Sequence, residues 1–244
     1  MNPILIYPVV STEASAYALR ILHKEGIRLI DHPAPEITHL MLDVPSFSND
    51  GSLRRGGSLE AILERIPQNA AVIGGNLSHP ALKGRETIDL LQNEAYLAKN
   101  AAITAHCALQ VAAPMLKATF RDTPTLILGW GRIGKCLAAM LKALGTPVTV
   151  AARRESDRAM LNALGYETVD DSHLPQPVGL VFNTVPGQHF EITPGCVQID
   201  LASQKSLTGA DVVWARGLPG KYAPESSGRL IAETILRHMK EEIP

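Results

Sequence analysis

Residues 129–134 constrain this 244-residue chain more tightly than any other stretch. They read Gly-Trp-Gly-Arg-Ile-Gly, a G-x-G-x-x-G pattern. They follow an apolar run, Thr125–Leu128, and open a segment over 132–144 whose Ile133, Leu137, Met140, Leu141 and Leu144 share one helical side. Such glycines recur by chance, and the strand–turn–helix context is what gives them meaning. Gly129 permits a tight turn, Gly131 lets bare backbone approach a pyrophosphate, and Gly134 lets helix and strand pack closely. Unpaired amides at the helix start then face the phosphates. Trp130, Arg132 and Ile133 complete the candidate cofactor loop, with the bulky Trp130 side chain directed outward.

The second strand of such a unit ends beside the adenosine ribose, where a carboxylate usually accepts from the two hydroxyls of NAD. Here the strand reads VTVAARRES over 148–156, with Ala151 and Ala152 at its tip and Arg153 and Arg154 next. Guanidiniums pair with a phosphate, and no carboxylate stands at the tip. The pattern predicts NADP rather than NAD, with Arg153 the better candidate for the 2′-phosphate and Arg154 the second.

Further strands are expected at 147–151, 166–169, 179–183, 197–200 and 211–215, separated by helices or tight loops. With 125–129 they predict a mainly parallel Rossmann-type sheet with crossover helices. Ligands in such sheets lie beyond the carboxyl ends of strands. That places Asn183, Thr184, Val185 and Pro186 beside the ribose and nicotinamide end, and Asp200 at the next strand end. Before residue 84 the expected order is strand 3–10, helix 14–24, strands 27–30 and 38–44, helix 59–66 and strand 70–74, a smaller α/β layer. The polar, Gly-rich stretch 46–57 reads as a mobile surface loop. Residues 86–119 are Ala-rich and helical, with a break expected over 100–103, a second helix capped by Thr104, and a kink at Pro114. The division expected is a small N-terminal α/β domain over 1–100, an NADP-binding Rossmann domain over 101–225, and a C-terminal helix in 226–244 able to pack across both.

Composition narrows the class. A formal charge of -1, from 23 basic and 24 acidic residues, offers no bulk attraction to nucleic acid or an anionic membrane. Cys107, Cys136 and Cys196 form no CxxC pair, and the eight histidines show no metal-ligand spacing, so no metal site is expected. Wide, odd cysteine spacing reads as reduced thiols in a cytoplasmic protein. Cys107 and Cys136 lie within apolar helix patterns and read as inert small hydrophobes. No run approaches the roughly 20 apolar residues of a membrane span.

Beyond the fingerprint, five segments carry a resemblance: LGWGRIGK (128–135), AARRES (151–156), VFNTVPG (181–187), IDLAS (199–203) and GLPGKYAPESSG (217–228). With them the chain resembles the A subunit of dipicolinate synthase, an oxidoreductase of sporulation in spore-forming bacteria. The likeness runs from about Gly84 to Ile235, and residues 1–80 match loosely, as a reduced first domain. Where that family tends to have Pro-Thr-x-Glu-Gly, this chain reads Ile103-Thr104-Ala105-His106-Cys107. The APxTAG-like pattern appears as Ala223-Pro224-Glu225-Ser226-Ser227-Gly228, where Ser226 keeps a hydroxyl.

The resemblance implies a flavodoxin-like first domain beside the Rossmann domain, and NADP-linked formation of dipicolinate from a dihydrodipicolinate-like cyclic dicarboxylate. It also implies that a B-like subunit is the partner, and the apolar helices allow a homodimer. Two carboxylates on the substrate call for cationic or amide donors. Arg216, Lys221, Ser226 and Ser227 around the C-terminal motif, and Asn76 and Ser78 after the strand 70–74, are the candidates. Aromatisation also releases a proton, so His106 and His79 are candidate bases and Asp200 a candidate orienting group. A non-catalytic dinucleotide-binding or regulatory subunit is the alternative, favoured by His106-Cys107 and the shortened first domain. An NADP-dependent dehydrogenase of another small acid is the third reading.

Overall fold

The computed structural model describes residues 3–175, 178–192, 194–209 and 211–241, so the last three positions of the expected C-terminal helix, 242–244, lie outside the described residues. The chain divides into two compact units, residues 1–100 with 223–244, and residues 101–222.

The first unit begins with β1 (Leu5–Val9), α1 (Glu13–Lys24), β2 (Arg28–Leu29), β3 (His39–Leu42), α2 (Leu59–Leu63), β4 (Ala71–Gly74) and β5 (Thr87–Asp89). Its sheet order is β2-β1-β3-β4-β5, with every pair parallel. This is the flavodoxin-like order, whose switch point lies between β1 and β3. At that point Asp43, 2% exposed, accepts from the Ser11 amide and hydroxyl and from the Thr12 and Ser15 hydroxyls at 2.7–2.9 Å. The Thr12 hydroxyl also accepts from the Ser15 amide, capping α1. Leu40, Leu42, Val72, Leu59 and Leu63 build the core on one side of the sheet.

Several expectations for residues 1–119 are corrected. The stretch 46–57 is a hairpin rather than a free loop: Phe47 bridges Leu53, and Leu53 is buried in the core. One apolar residue among polar neighbours is enough to anchor it. The edge strand β5 was not foreseen, because three residues carry no measurable alternation. Pairing with β4 makes it a strand, and the preceding Arg85 fastens it by donating to the carbonyls of Leu63, Pro67 and Gln68. The expected break over 100–103 is absent, since α3 runs unbroken over Glu94–Ala112. An Asn inside a helix costs well under ~1 kcal/mol, too little to end one. Pro114 falls in the 3-10 turn 113–115 after α3, where it terminates the helix instead of kinking it.

The second unit contains β6 (Thr125–Leu128), α4 (Arg132–Ala143), β7 (Val148–Ala151), α5 (Glu155–Ala163), β8 (Glu167–Val169), β9 (Leu180–Asn183), β10 (Val197–Asp200), β11 (Val212–Trp214) and α6 (Leu218–Tyr222). Its order is β11-β10-β9-β6-β7-β8, all parallel. That is the Rossmann order with the switch point between β6 and β9. β6 and β9 are buried throughout, as a central parallel strand covered on both faces must be.

The last helix, α7 (Pro224–Glu241), groups with the first unit. It starts with Pro at its first position, before Ser226, so Ser226 and Ser227 lie inside the helix and Ser227 is not a cap. Gly228 makes the crossing with α1 possible: a Cβ there would stand 2.5 Å from Tyr17 Cβ and closer still to the Ala14 carbonyl.

Candidate functional site

The glycine turn sits at the switch point of the Rossmann sheet. Gly129 has φ +97, a conformation that L side chains rarely adopt. A Cβ on Gly134 would collide with the Gly129 carbonyl, so this glycine is needed for helix–strand packing. Gly131 differs from both. Its backbone is extended (φ -79, ψ -172), and a Cβ would meet nothing within 4 Å. Neither conformation nor internal packing requires glycine there. Open space before the first amides of α4 does require it, if a phosphate is to approach the backbone.

That space is part of a cleft of about 540 Å³. Gly129, Trp130 and Gly131 form one wall, Ala151 to Arg154 and Asp157 a second, and Val185 to Gln188 a third. Three strand ends foreseen from the sequence therefore converge on one cavity. Trp130 lines it with its ring edge-on to Tyr166, at 5.9 Å between centroids, and Lys135 stands over the indole face. A larger groove of about 850 Å³ runs between α1 and α7, and none of the candidate site residues lines it.

The two arginines after β7 differ. Arg154 is bound to Asp157, Nε to Oδ2 at 2.8 Å and Nη2 to Oδ1 at 3.2 Å, and this bond raises its pKa further. Arg153 is exposed, and among the described residues no hydrogen bond or ion pair engages its guanidinium. Of the two, Arg153 is the one whose guanidinium is left free beside the cleft.

Beyond β9 and β10 the foreseen polar residues are largely committed to the scaffold. Asp200 is fully buried. Its Oδ1 accepts from Asn183 Nδ2 at 2.9 Å and the Ala202 amide at 3.0 Å, and its Oδ2 from the Ser206 and Leu207 amides at 2.7 and 2.9 Å. A carboxylate with four internal donors holds a loop and does not face substrate, which corrects the expectation of a catalytic Asp200. Asn183 is equally buried and accepts from the Val185 amide, so it shapes the turn without reaching the ribose itself. Thr184 donates to the Leu128 carbonyl at 2.8 Å, tying β9 to β6. Ser206 accepts from the Gly187 amide at 2.9 Å, locking the loops after β9 and β10 together.

His79 caps the 3-10 turn 80–82, its Nδ1 accepting from the Ala81 amide, and its ring stacks on Phe47 at 5.0 Å. That leaves Nε2 as the protonated nitrogen of the neutral ring, so His79 is arranged as a donor and not as a base. His106 is exposed on α3, with Nε2 3.1 Å from the Gln110 amide nitrogen. Asn76 and Ser78 are exposed in the turn after β4. Asn76 holds φ +61, and Asp89 fixes this turn by accepting from the Asn76 and Leu77 amides at 3.0 and 2.8 Å. Arg216 donates to the Ser203 carbonyl and lies over the Trp214 ring, while Lys221 is exposed on α6. Asn76, Ser78, Ser226 and Ser227 belong to the first unit, and Arg216 and Lys221 to the second. Burial raises the thiol pKa of Cys107, Cys136 and Cys196. Among the described residues no cluster of three His, Cys, Asp or Glu side chains could hold a metal ion, and no helix is long and apolar enough to cross a membrane.

Sequence reasoning missed Asp157, Arg158, Asp171 and Gln188. Asp171 accepts from Gln188 at 3.0 Å, joining the loops after β8 and β9 along the cleft. Only the proximity of Asp157 to Arg154, three residues apart at a helix start, is a signal that the sequence carries.

Two parallel doubly wound sheets, one carrying a glycine turn at its switch point, define the α/β Rossmann-type dehydrogenase fold. Within that class the chain is homologous and structurally similar to the family of dipicolinate synthase A subunits. The dipicolinate synthase A subunit of Bacillus subtilis (strain 168) is 24% identical over 238 residues, covering 86% of this chain and 80% of that protein. The crystal structure of the dipicolinate synthase A subunit from Bacillus halodurans superposes with a TM-score of 0.82 at 20% identity, over 98% of both chains. A transhydrogenase from Sinorhizobium meliloti follows with a TM-score of 0.68 at 15% identity, over 98% of this chain and 94% of that one. No family model matches the chain.

Proposed function

We propose that this chain is an NADP-dependent oxidoreductase that converts a dihydrodipicolinate-like cyclic dicarboxylate to dipicolinate, acting with a B-like subunit. The observation that supports the dinucleotide part is Gly131, a cleft-lining glycine whose missing side chain leaves open space before the first amides of α4. The substrate class rests on the resemblance to the A subunit of dipicolinate synthase.

The chain's residues fit the cofactor. Gly129, Gly131 and the first amides of α4 would hold the pyrophosphate, Arg153 the 2′-phosphate, and the loop Thr184–Pro186 the nicotinamide end. When bound, NADP supplies the hydride acceptor, and the protein contributes position and electrostatics. Aromatisation would remove one hydride and one proton from the ring, and the proton is what this chain's own residues would have to accept. His106 is the better base of the two histidines: among the described residues its Nε2 pairs only with the exposed Gln110 amide, which can yield the lone pair. Arg216 and Lys221, both exposed and in the unit that carries the cleft, are the proposed carboxylate contacts. Ser227 is buried in α7, so a contact through its hydroxyl is not retained in the proposal. A cytoplasmic location is part of this reading, and Cys107, Cys136 and Cys196 are free thiols.

The test is to mix the purified chain with NADP and freshly generated dihydrodipicolinate, with and without a candidate B subunit, and to follow NADPH absorbance. Turnover supports the proposal. Tight NADP binding with no turnover in either mixture favours the regulatory reading, for which His106-Cys107 in place of the family's Glu-Gly is the specific observation.

A further inference from the structure

We propose that Arg158, neutralised by Asp170, is a positioning residue that presents Arg153 to the 2′-phosphate and so sets the preference for NADP over NAD. The inference rests on the dinucleotide reading above and assigns a role to a residue outside the cleft wall.

Arg158 lies on α5, one turn after Arg154. Its Nη1 donates to the carbonyls of both Ala152 and Arg153, each at 2.7 Å. These two bonds use both hydrogens of that nitrogen. The same nitrogen stands 3.0 Å from Asp170 Oδ2, beyond the end of β8, and the side chains are only 25% and 40% exposed. Asp170 is held in turn by the Ser172 hydroxyl and amide at 2.6 and 3.0 Å, which keep its carboxyl below the usual range. The Ala152 amide also donates to the Val169 carbonyl. The main chain that carries Arg153 is therefore fastened from α5 and from β8, while the Arg153 guanidinium itself stays free.

This arrangement has a selective consequence. A loop anchored before binding loses less conformational freedom when its side chain closes on a ligand. Only a ligand with the 2′-phosphate uses Arg153. Loosening the anchor should weaken NADP binding and leave NAD binding nearly unchanged. A general structural role would weaken both alike. A direct phosphate contact from Arg158 would act independently of Arg153.

Calorimetric titration of the full chain with NADP and with NAD separates these cases, using wild type, Arg153→Ala, Arg158→Ala, the double variant and Asp170→Asn. Arg153→Ala is expected to lower NADP affinity by about 10-fold or more, and Arg158→Ala by about 5–10-fold, with NAD affinity within about twofold throughout. The double variant should be no weaker than Arg153→Ala, because coupled residues are not additive. Asp170→Asn should shift NADP affinity in the same direction by a smaller factor, and it decides the matter if Arg158→Ala fails to fold. Unchanged discrimination in Arg158→Ala or, failing that, in Asp170→Asn, or additive losses in the double variant, overturns the inference while Arg153→Ala upholds the dinucleotide reading. A wild type without NADP preference, or an Arg153→Ala variant that retains it, overturns the inference and the assignment of NADP, and a wild type that takes up neither dinucleotide overturns the dinucleotide reading.

Discussion

Asn183 Nδ2 donates to Asp200 Oδ1 across 2.9 Å, joining the carboxyl ends of β9 and β10. Both side chains are fully buried, and the remaining acceptor positions of Asp200 hold the Ala202, Ser206 and Leu207 amides. Replacing Asp200 by Ala strands four donors, and unpaired buried donors cost more than a made bond contributes. We expect Asp200→Ala to lose about 3–5 kcal/mol of unfolding free energy, measured by urea denaturation. A stable variant defective only in turnover would return Asp200 to the chemistry.

The glycines at 131 and 134 should separate binding from stability. Gly134→Ala forces a methyl against the Gly129 carbonyl and should cost about 1–3 kcal/mol of stability. Gly131→Ala meets open space, so stability should change by less than about 0.5 kcal/mol. Its dinucleotide affinity should nevertheless fall by on the order of tenfold, because the methyl occupies the approach to the amides. Thermal unfolding and calorimetry on both variants give the comparison, and unimpaired binding by Gly131→Ala contradicts the site.

Asp157 engages the Arg154 guanidinium through two hydrogen bonds at the cleft wall. Asp157→Asn weakens that ion pair and removes a negative charge from the cleft wall. NADP affinity should rise by about 3–10-fold, with a smaller change for NAD. A loss of NADP affinity would mean that the pair is needed to shape the start of α5.

Burial pushes the Tyr96 phenol up to about 12. The raised value means that the neutral phenol favours the folded state. Its stabilising contribution is complete below the unfolded value of about 10 and is lost as pH rises from there towards 12. Absorbance at the tyrosinate band should show one late-titrating phenol, and Tyr96→Phe should remove that phase. Its ionisation with the exposed tyrosines would contradict the burial.

At the α1–α7 crossing, Gly228→Ala drives a methyl into Tyr17 and the Ala14 carbonyl. Helix backbones this close cannot yield separately, so the first unit should lose about 1–3 kcal/mol in denaturant unfolding. An unchanged midpoint would show that the helices separate at little cost.

Local pattern made the second unit legible. A parallel strand buried on both faces is apolar over most of its length, which is why 125–128, 148–151 and 180–183 stand out as strands in the bare sequence. The glycine turn was legible for a related reason: a positive φ, a close helix approach and an open amide each demand the absence of a side chain, at a fixed spacing. Elsewhere the pattern was too short or too weak. Thr87–Asp89 is a strand only because β4 offers its edge, and Leu53 turns a polar loop into a hairpin only because a core lies beneath it.

The sequence by itself determined the Rossmann strand–turn–helix unit, the convergence of three strand ends on one cleft, and the pair of arginines that follows β7. Tertiary structure alone decided which charges are available there. Asp200 looked like chemistry and is a buried brace, Arg154 looked like a phosphate ligand and is held by Asp157, and Arg158 gave no signal yet anchors the Arg153 backbone. Residue type and spacing specify what a group can do. Whether its lone pairs and protons are already engaged depends on partners brought close by folding, and those partners stand at no fixed distance along the chain.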